Sequence, residues 1–334
     1  VTSGDVTNPL LTTADAAELT LQGMIDKANA GDTITLNSNT EIAATLQITK
    51  NLTLDLNGYV LKMGGTGRVI HITSSAEVEI KDGESNRAHT GEYAALPAGG
   101  VITGGKAESG GGILLDGGCT LKLTGGCITD CRATDTGGGG VDLRGSTAIL
   151  YISGTARIEN CTAGEVWGAN AIFNSGTMYA DGGTVDGTVN NQGTIKHSNG
   201  VTDVTVFNEA VYNRAKKIIE AGIYKGTVEN RGSITGGTFY GGVTDDGGTI
   251  RGGTFAVTFD IGDGTKTEPT LVEYNNPVPE RAAPTKSGHT FTGWYLGEEK
   301  YNFDTPVTAP LTLTAKWEKV PSSGGYYYYP TTDT

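Results

Sequence analysis

A short motif returns through the middle of this chain: an apolar residue, a spacer, an Asn, then a small residue or Gly. It reads IFNSG around Asn174, VNNQG around Asn191, VFNEA around Asn208 and VENRG around Asn230. These asparagines lie 17, 17 and 22 residues apart, and Asp245 in VTDDG follows 15 later. A second set of markers, Gly183, Gly200, Gly222, Gly237 and Gly253, keeps a similar rhythm. Upstream the same grammar has longer periods: GGGILLD at 110, GGGVDLR at 138 and GANAIFN at 168. Repeats of 15 to 30 residues without a helical pattern point to a solenoid of strands.

Within each period the apolar residues alternate, as in Leu121 and Leu123 or Leu150 and Ile152. One face of each short strand therefore turns inward. Successive coils then stack as parallel strands about 4.8 Å apart, with equivalent residues above one another. On this reading Asn174, Asn191, Asn208 and Asn230 form a ladder, each amide bonding the turn and its own copy in the next coil. A buried amide is tolerable only when its donors and acceptors are met, and a ladder meets them repeatedly. The following Gly is expected to take a positive φ. Cys131 and Cys161 fall at matching positions and are expected to stack, as free thiols in preference to a disulfide.

Composition agrees. The chain of 334 residues carries 52 Gly, which suits many tight turns. Its net charge of -13 opposes nucleic-acid binding. No apolar run is long enough to cross a membrane as a helix. The four cysteines form no CxxC pair, which argues against a zinc site, and no cofactor is expected. At the N-terminus, Leu19 to Ala30 reads as a short amphipathic helix covering the open end of the stack.

The segment GDTITL…LTLDLNGYVLKM and the Gly-rich coils after it resemble right-handed parallel β-helix proteins of the pectin-lyase-like superfamily, over roughly residues 15 to 256. Their GGGI and GGGV turns are similar to those of bacterial surface adhesins. The expected fold is all-β: a parallel β-helix with its cap over residues 1–256 and a small C-terminal module over 257–319. That module carries Val257-Thr-Phe-Asp, Pro284, Gly288, Phe291, Gly293-Trp294-Tyr295, Phe303, Pro306, Leu313 and Ala315-Lys316-Trp317. These residues closely resemble the Listeria–Bacteroides repeat, which implies a β-grasp-like fold, a cell-surface location and no catalysis. His289 departs from the usual Tyr. Residues 320–334 read as a low-complexity linker, similar to spacers that precede wall-attaching domains of Gram-positive bacteria, and such domains are expected beyond Thr334.

Candidate chemistry is sparse. Asp116, Arg144 and Asn174 are read as equivalent positions at the end of one strand column, with Asp142 pointing the other way from Arg144. A lone Asp–Arg pair is more often a surface ion pair than a site. His71 is read as an outward strand residue, and DIGDG at 260 as a hairpin turn. Lys122, Tyr151, Tyr179 and Lys196 are read as one outward column, in which two stacked tyrosines offer a flat platform for sugar rings. The basic residues Arg214, Lys216 and Lys217 are placed on an insertion, YNRAKKIIEAG, that lengthens one coil and offers a contact for an anionic partner. The resulting expectation is an extracellular bacterial surface protein that adheres to or displays itself to a glycan or another surface ligand, without turnover. A polysaccharide-active lyase or hydrolase and a purely structural spacer are the alternatives.

Overall fold

A computed structural model describes residues 20–164 and 168–321 of the chain. Contacts divide it into two compact units that meet in sequence at Thr254 and Phe255. The residues before Thr20 and the YYYY end of the linker segment lie outside the described residues.

The first unit is built from short strands that pair in parallel, coil upon coil. One stack has nine strands, from Leu46–Ile48 through Ile70–Ile72, Ile113–Leu115, Val141–Leu143 and Ile172–Asn174 to Val243–Asp245. A second runs through Leu52–Asp55, Glu77–Lys81 and Thr120–Leu123 to Thr249–Ile250. A third runs through Val60–Met63, Val101–Thr103 and Cys127–Thr129 to Thr238–Phe239. These parallel stacks, joined in three coils by a small sheet of Lys106–Ala107, Arg132–Ala133 and Thr162–Ala163, are compatible with a parallel β-helix. The alternating apolar residues supply the interior: Ile70, Ile72, Ile113, Leu115, Val141 and Leu143 are all buried.

The Asn ladder exists, with one member different from the expectation. Asn174 donates to Asn191 Oδ1 at 2.7 Å, Asn191 to Asn213 at 2.8 Å, Asn213 to Asn230 at 2.8 Å, and Asn230 to Asp245 at 2.8 Å. Asn208 is not part of it. That residue follows the strand Val206–Phe207 in the third stack, where its backbone N–H meets Val185 O. Each ladder amide also donates to a carbonyl of the next strand column, for example Asn174 to Thr194 O and Asn191 to Ile218 O. Gly176, Gly193 and Gly232 N–H groups donate back to Asn174, Asn191 and Asn230. These glycines do not have the expected positive φ. They are glycine because the coils approach closely: a Cβ on Gly193 would lie 1.9 Å from Gly176 O.

In the third stack, Ile128, Ile158 and Val185 give way to Phe207, Tyr224 and Phe239 along one buried file. The three rings stack at 5.0 and 4.9 Å between centroids. Gly222, Gly237 and Gly253 line this file at φ +117°, +101° and +103°. Gly200 is not among them, because the register places buried Thr205 before Gly222.

The helix is shorter than expected, Leu21–Lys27, with Thr20 Oγ1 accepting from Gly23 N–H as its N-cap. Its Gln22 side chain covers the first strand of the nine-strand stack. Gln22 Nε2 donates to Gln47 O at 3.1 Å, and Gln47 N–H donates to Gln22 Oε1 at 2.8 Å. A side-chain amide thus supplies the bonds a neighbouring strand would make, which blunts the edge.

The second unit holds a mixed sheet. Val257–Asp260 run parallel to Leu311–Thr314, and His289–Leu296 run antiparallel to Leu311–Lys319 with a bulge between Phe291 and Gly293. Phe259 and Trp294 meet edge to face at 4.8 Å over buried Val257 and Leu313. DIGDG forms the expected turn, with Gly262 N–H donating to Asp260 Oδ1 and Ile261 N–H to Thr265 O.

Candidate functional site

Strand register places Glu79, Lys122, Tyr151, Tyr179 and Lys196 in one outward column of the second stack. Buried Leu121, Leu150 and Met178 alternate with them and fix which way they point. Tyr151 and Tyr179 stack with centroids 4.3 Å apart and planes 6° from parallel. Lys196 Nζ lies 4.8 Å from the Tyr179 centroid, on which it makes a cation–π contact. Lys122 forms an ion pair with Glu77 that raises its pKa. Burial, then the neighbouring Tyr179, raises the Tyr151 phenol.

This geometry corrects the flat platform. Side chains stand perpendicular to a sheet, so rings stacked from coil to coil turn their faces along the stack. Tyr179 faces Tyr151 on one side and Lys196 on the other, so its faces are occupied. What the column offers outward is ring edges, hydroxyls and ammonium groups.

The basic residues do not form one patch. Register pairs Ile195 with Ile219 and Val206 with Ile223, so the extra length of the 22-residue coil lies between Lys196 and Val206, and the expected insertion shrinks to two extra residues between Asn213 and Ile218. Arg214 lies against the outer face of the nine-strand stack, its Nε donating to Asn190 Oδ1 at 2.9 Å and its guanidinium 5.5 Å from the Tyr212 ring. Burial, then Arg231, lowers its pKa. Lys216 is an exposed turn residue at φ +64°, and Lys217 O accepts from Asn213 Nδ2. Cys131 and Cys161 are buried free thiols on adjacent coils, whose Sγ atoms donate to Thr129 O and Ile128 O.

A second group of polar side chains gathers outside the nine-strand stack. Asp116 and Arg144 follow the paired strands Ile113–Leu115 and Val141–Leu143 and are equivalent. Asn174 is not their counterpart. It pairs with inward Leu143, which is why it is buried. Asp142 does share the outward side with Arg144, and it is 5% exposed because the turn around Gly137 passes over it. Ser109 joins the group: Arg144 Nη2 donates to its Oγ at 2.7 Å, and Arg68 Nη2 to its carbonyl at 3.2 Å. His71 Nε2 lies 3.1 Å from Asp116 Oδ2. Burial raises the Asp142 carboxyl even though Ser109, Arg144 and Arg68 oppose the shift. Arg68 and Ser109 carried no signal in the repeat, since both stand outside the alternating strands. The sequence reading also missed the cover over Cys127, whose outward side packs with Val60 and Val101 beneath Tyr93 and Leu96.

The Listeria–Bacteroides repeat domain family matches residues 255–316, within the second unit. Two proteins of Evansella cellulosilytica are similar over a short part of the chain. One, described by name as a Gly-rich membrane protein, is 38% identical over 66 residues, which is 19% of this chain and 8% of that protein. The other, described as a membrane protein, is 37% identical over 65 residues, 18% of this chain and 10% of that protein. The match therefore spans no more than a tenth of either relative. No solved structure matches the chain. Among the described residues no helix is long and apolar enough to cross a membrane.

Proposed function

We propose that the chain belongs to a bacterial cell-surface protein. In this reading a right-handed, pectin-lyase-like β-helix displays a ligand-binding face and does not turn its ligand over. The Listeria–Bacteroides repeat and the names of the two relatives support the surface location.

The observation that carries the binding reading is the in-register column Lys122–Tyr151–Tyr179–Lys196. Its hydroxyl and ammonium groups recur at the strand spacing, about 4.8 Å. A linear glycan lying along the stack would meet a repeat of donors and acceptors, and hydrogen bonds would hold it in place of ring stacking. A glycan array with the wild type and with Tyr151→Ala/Tyr179→Ala tests this. Loss of a specific signal in the double variant supports it; no ligand for the wild type favours the structural spacer.

A polysaccharide-active enzyme is the competing reading, and the buried Asp142 carboxyl is the observation that favours it. A carboxyl held toward its neutral form can serve as a general acid. Release of reducing sugar or unsaturated product from a glycan panel would replace the binding reading with this one.

A further inference from the structure

We propose that Arg68, Ser109 and Arg144 form a binding site for an oxyanion, the sulfate, phosphate or carboxylate group of an acidic ligand, on the outside of the nine-strand stack and separate from the tyrosine column. Two guanidinium groups, from the coils on either side of the strand Ile113–Leu115, converge on one residue, Ser109, through its carbonyl and its hydroxyl. Arg68 Nε is buried and has no hydrogen-bond partner. An N–H of a charged group left unpaired away from water is costly, so a partner there has a strong driving force. Guanidinium groups are the usual answer to planar or tetrahedral oxyanions, because their N–H groups are fixed in a fork.

The protein's own carboxylates leave that demand unmet. Asp142 contributes most to the carboxylate field at Arg68, but Ser109 bonds its side chain and Arg68 Nε stays without a partner. Asp116 faces His71. Glu108 and Asp116 contribute to the field at Arg68, while burial and then Arg144 weaken its hold on its proton. Arg144 is exposed at the rim, so a ligand can reach its guanidinium from solvent, whereas Arg68 Nε is itself closed to solvent. The half-exposed ring of Phe173 follows Asp142 in the same outward column and extends the site along the stack. Every residue involved lies on or beside a strand of the repeat, so the arrangement is rigid before any ligand arrives.

The test follows the Arg68 Nε–H resonance in the intact chain during titration with sodium sulfate, phosphate and acetate, with sodium chloride at matched ionic strength. Saturable movement with at least one oxyanion but not with chloride is expected, and the three arms identify the preferred group. Arg144→Gln should weaken the affinity about tenfold. Asp142→Asn, which removes the competing negative charge, should strengthen it. A clamp that only pins the Ser109 turn would give neither change. Absence of saturation with all three anions, or equal affinity in wild type and Arg144→Gln, overturns the proposal.

Discussion

Asn191 hands one amide hydrogen to Asn213, 22 residues ahead, at 2.8 Å, inside a stack where both side chains are buried. The contact ties together two coils of unequal length, and it identifies which Asn in the region matters. Asn213→Ala removes the acceptor of one buried Asn191 N–H and one of the two donors to Asn230 Oδ1, which keeps Gly232 N–H. A loss of about 2–4 kcal/mol is expected from the cost of unpaired buried polar groups. Asn208→Ala should stay within about 0.5 kcal/mol, as at ordinary partly exposed positions. Urea unfolding of the two variants side by side gives the comparison, and equal shifts would contradict the ladder.

The glycines beside the internal rings make a second prediction. A Cβ on Gly222 would lie 2.8 Å from Phe207 Cε2 and from the Tyr224 hydroxyl, at φ +117°. Gly222→Ala combines left-handed backbone strain with overpacking of a stacked file, and should cost about 2–4 kcal/mol. Gly200→Ala also carries positive φ, but nothing lies within 4 Å of its Cβ position, so only the backbone cost, about 1–2 kcal/mol, should appear. Thermal midpoints that rank the two variants the other way would refute this account.

The outward tyrosines should couple to each other. Stacked parallel rings contribute about 0.5–1.5 kcal/mol beyond burial in double-mutant cycles. Tyr151→Ala, Tyr179→Ala and the double variant should therefore fail to add by that amount in unfolding free energy. Additive losses would mean that the 4.3 Å stack carries no energy of its own.

Asp142 gives a pH dependence. Burial raises its carboxyl pKa in the folded chain, so the folded state binds the proton more tightly than the unfolded one. Its contribution favours folding below the unfolded pKa and is lost as pH rises through the folded value. Asp142→Asn removes the cost of the buried charge. The variant should be more stable than wild type at neutral pH, and the gap should close as pH falls through the carboxylate range. Unfolding midpoints across that range check the sign.

Thiol reactivity is the last prediction. Cys119 and Cys127 are pushed up by burial, and Cys161 by its hydrogen bond with Cys131 and then by burial. Those three carry little thiolate at neutral pH, and all four sulfurs are enclosed. Ellman's reagent should find no fast-reacting thiol in the native chain and four after denaturation. A disulfide between Cys131 and Cys161 would leave two.

The stacked coils were readable because alternation and period are properties of the chain itself. The identity of each rung was less so. VFNEA around Asn208 copies the motif at the expected interval, whereas the true copy, Val211-Tyr212-Asn213, follows a loop that displaces it. An insertion shifts the count without leaving a mark of its own. The tyrosine column followed from strand parity, but which way the rings turn their faces depends on packing between coils. The Arg68–Ser109–Arg144 group was least legible. Its members stand on turns, where no periodicity applies, and only the folding of the Ser109 turn over the strands brings them together.

All four ladder amides donate in the same sense, and the series stops at Asp245, whose side-chain oxygen accepts and which has no amide hydrogen to pass on. Such a series has a direction and a terminator. Tandem duplication or deletion of a whole rung within the gene would leave both ends as they are, since each Asn accepts from the one before and gives to the one after. Alleles of different length are therefore expected to differ by complete turns, with the aspartate staying last.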